Sequence, residues 1–184
     1  MSNQNNKIST NNTSENTINS ELILYNFKKQ GRGKWRVQDD VVMGGKSDSQ
    51  LKIIDQKYAQ FKGKVSLKND GGFCSIHQTV EQNPYKLSKK SSAFVIYLKG
   101  DGKDYNFRVR TPNGKHAYAF TFPTQDKNIW EMVSIPFDKM EATYHGEPVN
   151  VANYNGESVV EMQLLIGNNT EETFNIFIET IGVK

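Results

Sequence analysis

From residue 104 to residue 122 the chain reads DYNFRVRTPNGKHAYAFTF. Tyr105, Phe107 and Val109 alternate with Asn106, Arg108 and Arg110, and beyond Pro112-Asn113-Gly114 the pattern resumes as Tyr118, Phe120 and Phe122 against Ala117, Ala119 and Thr121. Successive side chains of a strand point to opposite faces, so the stretch predicts two strands, each with one apolar face, around a turn. Outward from it, 93–99 (AFVIYLK) is an apolar run expected of a strand covered on both faces, ended by the turn Gly100-Asp101-Gly102-Lys103. Residues 129–135 run into Pro136-Phe137, and 158–166 and 173–181 finish the chain, the last with Phe174, Ile176 and Ile178 on one face. Upstream, 21–27, 52–54, 58–61, 64–67 and 73–80 read as strands. Asp55-Gln56-Lys57 is a hairpin turn, Gly63 a bulge that brings Val65 and Leu67 to one side, and 28–34 and 81–92 are loops. Only 137–142 has room for a helical turn. About ten short strands punctuated by Gly, Pro and Asn predict an all-β antiparallel sandwich or barrel.

The 184 residues suffice for one core, placed at 21–184. Residues 1–20, MSNQNNKISTNNTSENTINS, are too polar to offset their ordering entropy and are expected to be a disordered tail. That segment has neither the apolar core of a secretory signal nor the arginine-rich pattern of a transit peptide, so a cytoplasmic location is expected, or a mitochondrial one if a transit peptide has been removed. The longest apolar runs are too short to span a bilayer. A net charge of +3, with basic and acidic residues interspersed, predicts no nucleic-acid partner. The single Cys74 rules out an internal disulfide framework.

The most distinctive stretch is 35–73, WRVQDDVVMGGKSDSQLKIIDQKYAQFKGKVSLKNDGGF. It contains the paired carboxylates Asp39-Asp40 and two glycine pairs, Gly44-Gly45 and Gly71-Gly72. Such pairs mark backbone that turns with positive φ or is closely approached by another group. Asp39, Asp40, Asp48 and Ser47 are candidate oxygen ligands for calcium, although the spacing is not that of an EF-hand. The preferred reading is structural, with Asp40 bonding backbone amides around Met43-Gly44-Gly45. His77, His116 and His145 lack the local spacing of a zinc site, and Cys74 and His77 fall on opposite strand faces, against a Cys–His nucleophile. No nucleotide or hydrolase fingerprint is present, so neither cofactor nor catalytic residue is expected. Arg108 and Arg110, with Tyr105 and Tyr118 close in sequence, form a candidate recognition strip for a protein or a sugar.

Trp35, Asp40-Val41-Val42-Met43-Gly44-Gly45-Lys46-Ser47, Phe61-Lys62-Gly63 and Asn69-Asp70-Gly71-Gly72-Phe73-Cys74-Ser75 together resemble the complex I intermediate-associated protein 30 family. Further similar blocks are Gly100–Tyr105, Arg108–Thr111, Trp130, Ile135-Pro136-Phe137 and the closing strand. The resemblance implies a galactose-binding-domain-like jelly-roll β-sandwich. It also implies a non-catalytic assembly factor for respiratory NADH:quinone oxidoreductase, working by protein–protein contact with subunits of that enzyme.

A carbohydrate-binding domain is the alternative, with a glycan as ligand and Trp35, Tyr144 and Tyr154 as stacking candidates; a glycan hydrolase ranks below both, since no acid–base pair stands out. The binding candidates are Asp40, Met43, Gly44, Gly45, Ser47, Gly71, Gly72, Phe73, His77, Arg108, Arg110, Tyr118 and His145. Trp35, Trp130, Pro136 and Phe137 are expected to be structural. The chain departs from the family pattern in Asp39 for asparagine, and in His77 and His145 where arginine is usual. The two histidines exchange a permanent charge for a titratable ring, so binding there is expected to vary with pH.

Overall fold

The computed structural model describes residues 22–184 apart from 30 and 127; the expected disordered tail lies outside the described residues. The chain forms two antiparallel sheets packed face to face. One contains β1 (Leu22–Asn26), β3 (Asp48–Ile54), β4 (Tyr58–Val65), β6 (Ala93–Lys99), β9 (Trp130–Pro136) and β13 (Glu172–Val183). The other contains β2 (Trp35–Val37), β5 (Cys74–Thr79), β7 (Asp104–Arg110), β8 (Ala117–Pro123), β10 (Glu141–Tyr144), β11 (Glu147–Pro148) and β12 (Glu161–Ile166). The strand orders are β3-β4-β13-β6-β9, with β1 also on β13, and β11-β10-β8-β7-β12-β5-β2. This is the expected jelly-roll β-sandwich.

β13 organises the first sheet. It pairs with β6 on one side, while β4 takes its first half and β1 its second half on the other. A register shift between Ile178 and Thr180 changes its phase, so that Phe174, Ile176 and Ile178 face the core before it and Ile181 and Val183 after it. The sheets meet through aromatic rings: Phe94 packs on Phe107 at 5.3 Å and Phe174 on Tyr105 at 6.4 Å, with Phe61 beside Phe174 in its own sheet at 4.7 Å.

The hairpin expected around 55–57 forms, with Asp55 and Gln56 both at positive φ and the Lys57 N–H donating to the Ile54 carbonyl at 2.9 Å. The 3-10 turn Phe137–Lys139 stands where a helical turn was expected, but two more, Asp40–Met43 and Lys68–Asp70, form where none was. Gly63 is not a bulge. β4 runs through it in unbroken register with Ser49 and Phe174, because residues 59, 61, 63 and 65 already share a face. Leu67 lies beyond the strand and is exposed. What Gly63 provides is close approach: a Cβ there would lie 2.4 Å from the Asp48 carbonyl oxygen and 2.7 Å from the Ser49 Cβ. Gly63→Ala is therefore expected to destabilise the chain by about 2 kcal/mol, read as a lower urea midpoint at unchanged slope.

Candidate functional site

Two features meet at the β2 edge of the seven-stranded sheet: a knot around one buried carboxylate, and the sheet's polar outer face. The Gln38 N–H donates to the Ser75 carbonyl at 2.9 Å, holding the chain against β5 as it leaves β2. Asp40 then turns inward at the start of the 3-10 turn Asp40–Met43 and is fully buried. Its carboxylate accepts the Ser47 N–H at 2.9 Å, the Ser47 hydroxyl at 2.5 Å, the Gly72 N–H at 2.7 Å and the Phe73 N–H at 3.3 Å. Burial alone would raise this carboxyl's pKa, but the four donors outweigh it and hold the group below the usual carboxylate range.

Both glycine pairs follow from that carboxylate. A Cβ on Gly45 would lie 2.2 Å from Asp40 Oδ1, and one on Gly71 2.6 Å from Oδ2, while Gly44 and Gly72 have φ of 92° and 146°. One member of each pair makes room for the anion and the other turns the chain. The Asn69 side chain donates to the Gly44 carbonyl at 3.1 Å and ties the two loops together. Asp39 faces different donors, the Ser49 hydroxyl at 2.7 Å and the Ser75 N–H at 3.2 Å, and there burial dominates and pushes the carboxyl up. Protein donors thus occupy the Asp39 and Asp40 carboxylates of the candidate calcium set while Asp48 is exposed, and no group of three or more acidic, His or Cys side chains suited to a metal occurs among the described residues. With Asp40 drawn inward, the next three side chains are turned outward. Val41, Val42 and Met43 are 60, 69 and 65% exposed.

The outer face of the seven-stranded sheet carries the second feature. Cross-strand register places Arg36, His77, Gln163, Arg108 and Ala119 in one row, with Thr79, Glu161 and Arg110 in the next. His77 Nδ1 lies 2.8 Å from Glu161 Oε1, and its Nε2 lies 3.0 Å from Ser75 Oγ. This is the connectivity of a Ser–His–acid triad, but Ser75 is fully buried and its hydroxyl donates to the Gln38 carbonyl, which leaves no path to a substrate. Glu161 also accepts Arg110 Nε at 3.1 Å. Burial would raise the Glu161 carboxyl, yet the His77 hydrogen bond and the Arg110, His77 and Arg36 charges together hold it below its usual range. Two open depressions lie along this face, one of ≈ 390 Å³ lined by Arg36, His77, Arg110 and Glu161, the other of ≈ 310 Å³ lined by Asn106, Arg108, Thr121 and Asn168. The second reaches the knot, because Gly167 on its wall abuts Gly72 and Phe73.

Of the binding candidates, the structure brings Asp40, Met43, Gly44, Gly45, Ser47, Gly71, Gly72 and Phe73 into the knot, and His77, Arg108 and Arg110 onto the outer face. Tyr118 belongs to neither. It is 6% exposed and packs on Tyr154 inside the sandwich, and Tyr105 is likewise inward, so no aromatic strip flanks the arginines. His145 sits apart at the tip of the β10–β11 hairpin, where it and Gly146 both have positive φ, stacked edge-on against Tyr144. His116 stands against Tyr118.

Among the expected structural residues, Trp35 packs against Tyr25 and Phe27, Pro136 closes β9, and Phe137 packs on Phe94 and Tyr154. Trp130 instead stacks on Tyr97 at 5.1 Å on the outer face of the six-stranded sheet. Cys74 faces the core, its thiol pushed up to about 12 by burial and the Asp39 charge. Sequence reasoning missed Arg36, Ser75, Glu161 and Gln163. Only the Trp-Arg-Val alternation at 35–37 carried a signal for one of them.

Two stacked antiparallel sheets with a polar outer face form a β-sandwich of the architecture also seen in carbohydrate-binding modules. The family 11 carbohydrate-binding module of a Clostridium thermocellum cellulosomal cellulase superposes with a TM-score of 0.62 at 11% identity, over 88% of this chain and 94% of that one. A family 29 carbohydrate-binding module superposes with a TM-score of 0.52 at 7% identity, over 88% and 83%. These similarities are of fold. The chain belongs to the complex I intermediate-associated protein 30 family, whose model matches residues 25–178. An uncharacterized protein of Schizosaccharomyces pombe is 31% identical over 64% of this chain and 61% of its own. The mouse protein named complex I intermediate-associated protein 30, mitochondrial, is 26% identical over 88% of this chain and 55% of its own. The chain therefore spans about three fifths of the length of the curated relatives it matches.

Asp40→Ala leaves the buried Gly72 and Ser47 amides without an acceptor and is expected to cost about 3 kcal/mol of stability, seen as a lower melting temperature. Because the folded pKa of Asp40 lies below its unfolded value, its contribution is complete above the ordinary carboxylate range and is lost as pH falls, from about pH 4 downward. Wild type should therefore lose stability more steeply than Asp40→Asn in urea titrations below that pH. Parallel curves would mean that the carboxylate charge is not what the knot requires.

Proposed function

We propose that residues 21–184 act as one non-enzymatic binding domain that works by protein–protein contact, in the manner of an assembly factor for a complex I-type NADH:quinone oxidoreductase. Family membership supports the assembly context. The exposed run Val41-Val42-Met43 carries the contact reading. Three consecutive large apolar side chains turned to solvent form a contiguous patch rather than the scattered exposure usual on protein surfaces. The turn beneath them is pre-ordered by Asp40, so a partner that covers it orders little further backbone. The polar depressions beside it supply the rim that surrounds such an apolar centre.

A cytoplasmic location draws no support from the relatives, one of which is named mitochondrial; the compartment proposed is that in which the NADH dehydrogenase is assembled. Among the described residues no helix is long and apolar enough to cross a membrane. The carbohydrate reading is favoured by fold similarity, but Tyr154 is buried and Trp35 packed beneath the sheet edge, leaving Tyr144 as the exposed ring of its three candidates.

The test is affinity capture from the native host with the full chain and with a Val42→Ser/Met43→Ser variant. These side chains are exposed, so the variant should keep the wild-type melting temperature. Recovery of NADH dehydrogenase subunits by wild type, reduced at least tenfold in the variant, is the expected result. Equal recovery by both chains would remove the apolar turn from the contact, and recovery of glycans alone would replace the protein partner.

A further inference from the structure

Resting on the reading of this chain as a protein-binding module, we propose that the outer face of the seven-stranded sheet receives an extended acidic segment of the partner, with Arg108 taking one carboxylate and Arg36 a second. Three arginines stand on this face, and one of them is ion-paired. Arg110 reaches Glu161 at 3.1 Å and Glu81 at 3.5 Å. Arg108 makes one side-chain hydrogen bond, from Nε to Asn106 Oδ1 at 2.6 Å, and has no acidic partner among the described residues. Arg36 donates from Nη1 to Thr79 Oγ1 at 3.0 Å and forms no ion pair among the described residues, although its charge is felt by Glu161.

Arg108 is the telling case. It is half-buried on the wall of the ≈ 310 Å³ depression, and burial pushes its guanidinium pKa down with no neighbouring acid to oppose the shift. A partly desolvated cation without a counter-charge is unfavourable in the free protein, and a carboxylate brought to it restores the missing compensation through two parallel hydrogen bonds. The acids of the face do not fill this role. Glu161 and Glu81 are engaged by His77 and Arg110, and neither Asp104, which lines the same depression, nor Glu141, beyond Ala119, is ion-paired with Arg108.

Spacing identifies the form of the ligand. Arg36 and Arg108 share one row across β2, β5, β12 and β7, three strand steps or about 14 Å apart. Two acidic residues four positions apart in an extended segment lie on one side of it and about 13 Å apart. A segment crossing the strands would pass over His77 and Gln163, and the Gln163 side chain makes no hydrogen bond to another described residue. The small side chains of Ala117 and Ala119 leave the approach to Arg108 low. The outward positions of β5, β12, β7 and β8 hold no Trp, Tyr or Phe on which a sugar ring would stack, which favours a peptide over an acidic polysaccharide.

The experiment is a calorimetric titration of the full chain with a synthetic Gly/Ser peptide carrying two glutamates four residues apart, beside its glutamine counterpart and oligogalacturonate. The glutamate peptide is expected to bind at least tenfold more tightly than the glutamine peptide, and Arg108→Met and Arg36→Met should each weaken it about tenfold. Arg36 is exposed, so its variant remains informative even if Arg108→Met proves unstable. Equal binding of the two peptides, unchanged binding in a folded arginine variant, or tighter binding of oligogalacturonate would each overturn the proposal. The capture experiment separates this failure from that of the underlying reading. Protein subunits captured without affinity for the acidic peptide remove the acidic ligand alone, whereas capture of no protein removes the contact reading as well.

Discussion

A single buried carboxylate sets the geometry on which the most distinctive part of this molecule depends. Asp40 lies at the meeting point of two loops far apart in sequence, and its oxygens collect a hydroxyl and three backbone amides. An anion withdrawn from water needs that many donors, and the donors in turn need backbone unobstructed by side chains. The two glycine pairs are the covalent expression of this need. Their spacing, unexplained by strand periodicity, reflects the shape of one side chain and the turns required to wrap it.

The same constraint produces the exposed apolar turn. Drawing Asp40 into the interior fixes the following 3-10 turn, and fixing that turn directs Val41, Val42 and Met43 outward. A flexible loop with these side chains would collapse onto the nearest apolar surface; a pinned one keeps them available. On the neighbouring sheet face, His77, Glu161, Arg110 and Ser75 form a closed polar network, while Arg108 and Arg36 form no ion pair among the described residues. Stability and recognition are thus divided between adjacent residues of one surface.

The relation to carbohydrate-binding modules is one of scaffold. Two stacked sheets with outward polar positions present a broad face whose chemistry is set by strand residues that contribute little to the core, so one architecture serves unrelated ligands. Here that face carries charge and amide groups rather than aromatic rings. The aromatic residues are spent elsewhere, in the core around Phe94, Phe107 and Tyr154, and on the opposite sheet around Trp130 and Tyr97.

The sequence by itself determined the strand-built class, the hairpin around 55–57 and the separation of Cys74 from His77, because period-two alternation and turn residues are local properties. Its local signals also pointed to a structural role for Asp40 at the Met43-Gly44-Gly45 turn, while placing it and the glycine pairs among the binding candidates. Strands of two to four residues such as β2, β10 and β11 are too short to show a period, and Gly63 was misread because a glycine suggests a bulge even where parity needs none. Tyr118 looked like a neighbour of the arginines because it is close in sequence, but the hairpin turns its ring to the opposite face. Only the tertiary structure decided that Asp40 reaches Gly72 and Phe73, that Glu161 meets His77 across more than eighty intervening residues, and that Arg108 and Arg36 form no ion pair among the described residues. Such pairings depend on sheet order and register, which come from how the whole core closes.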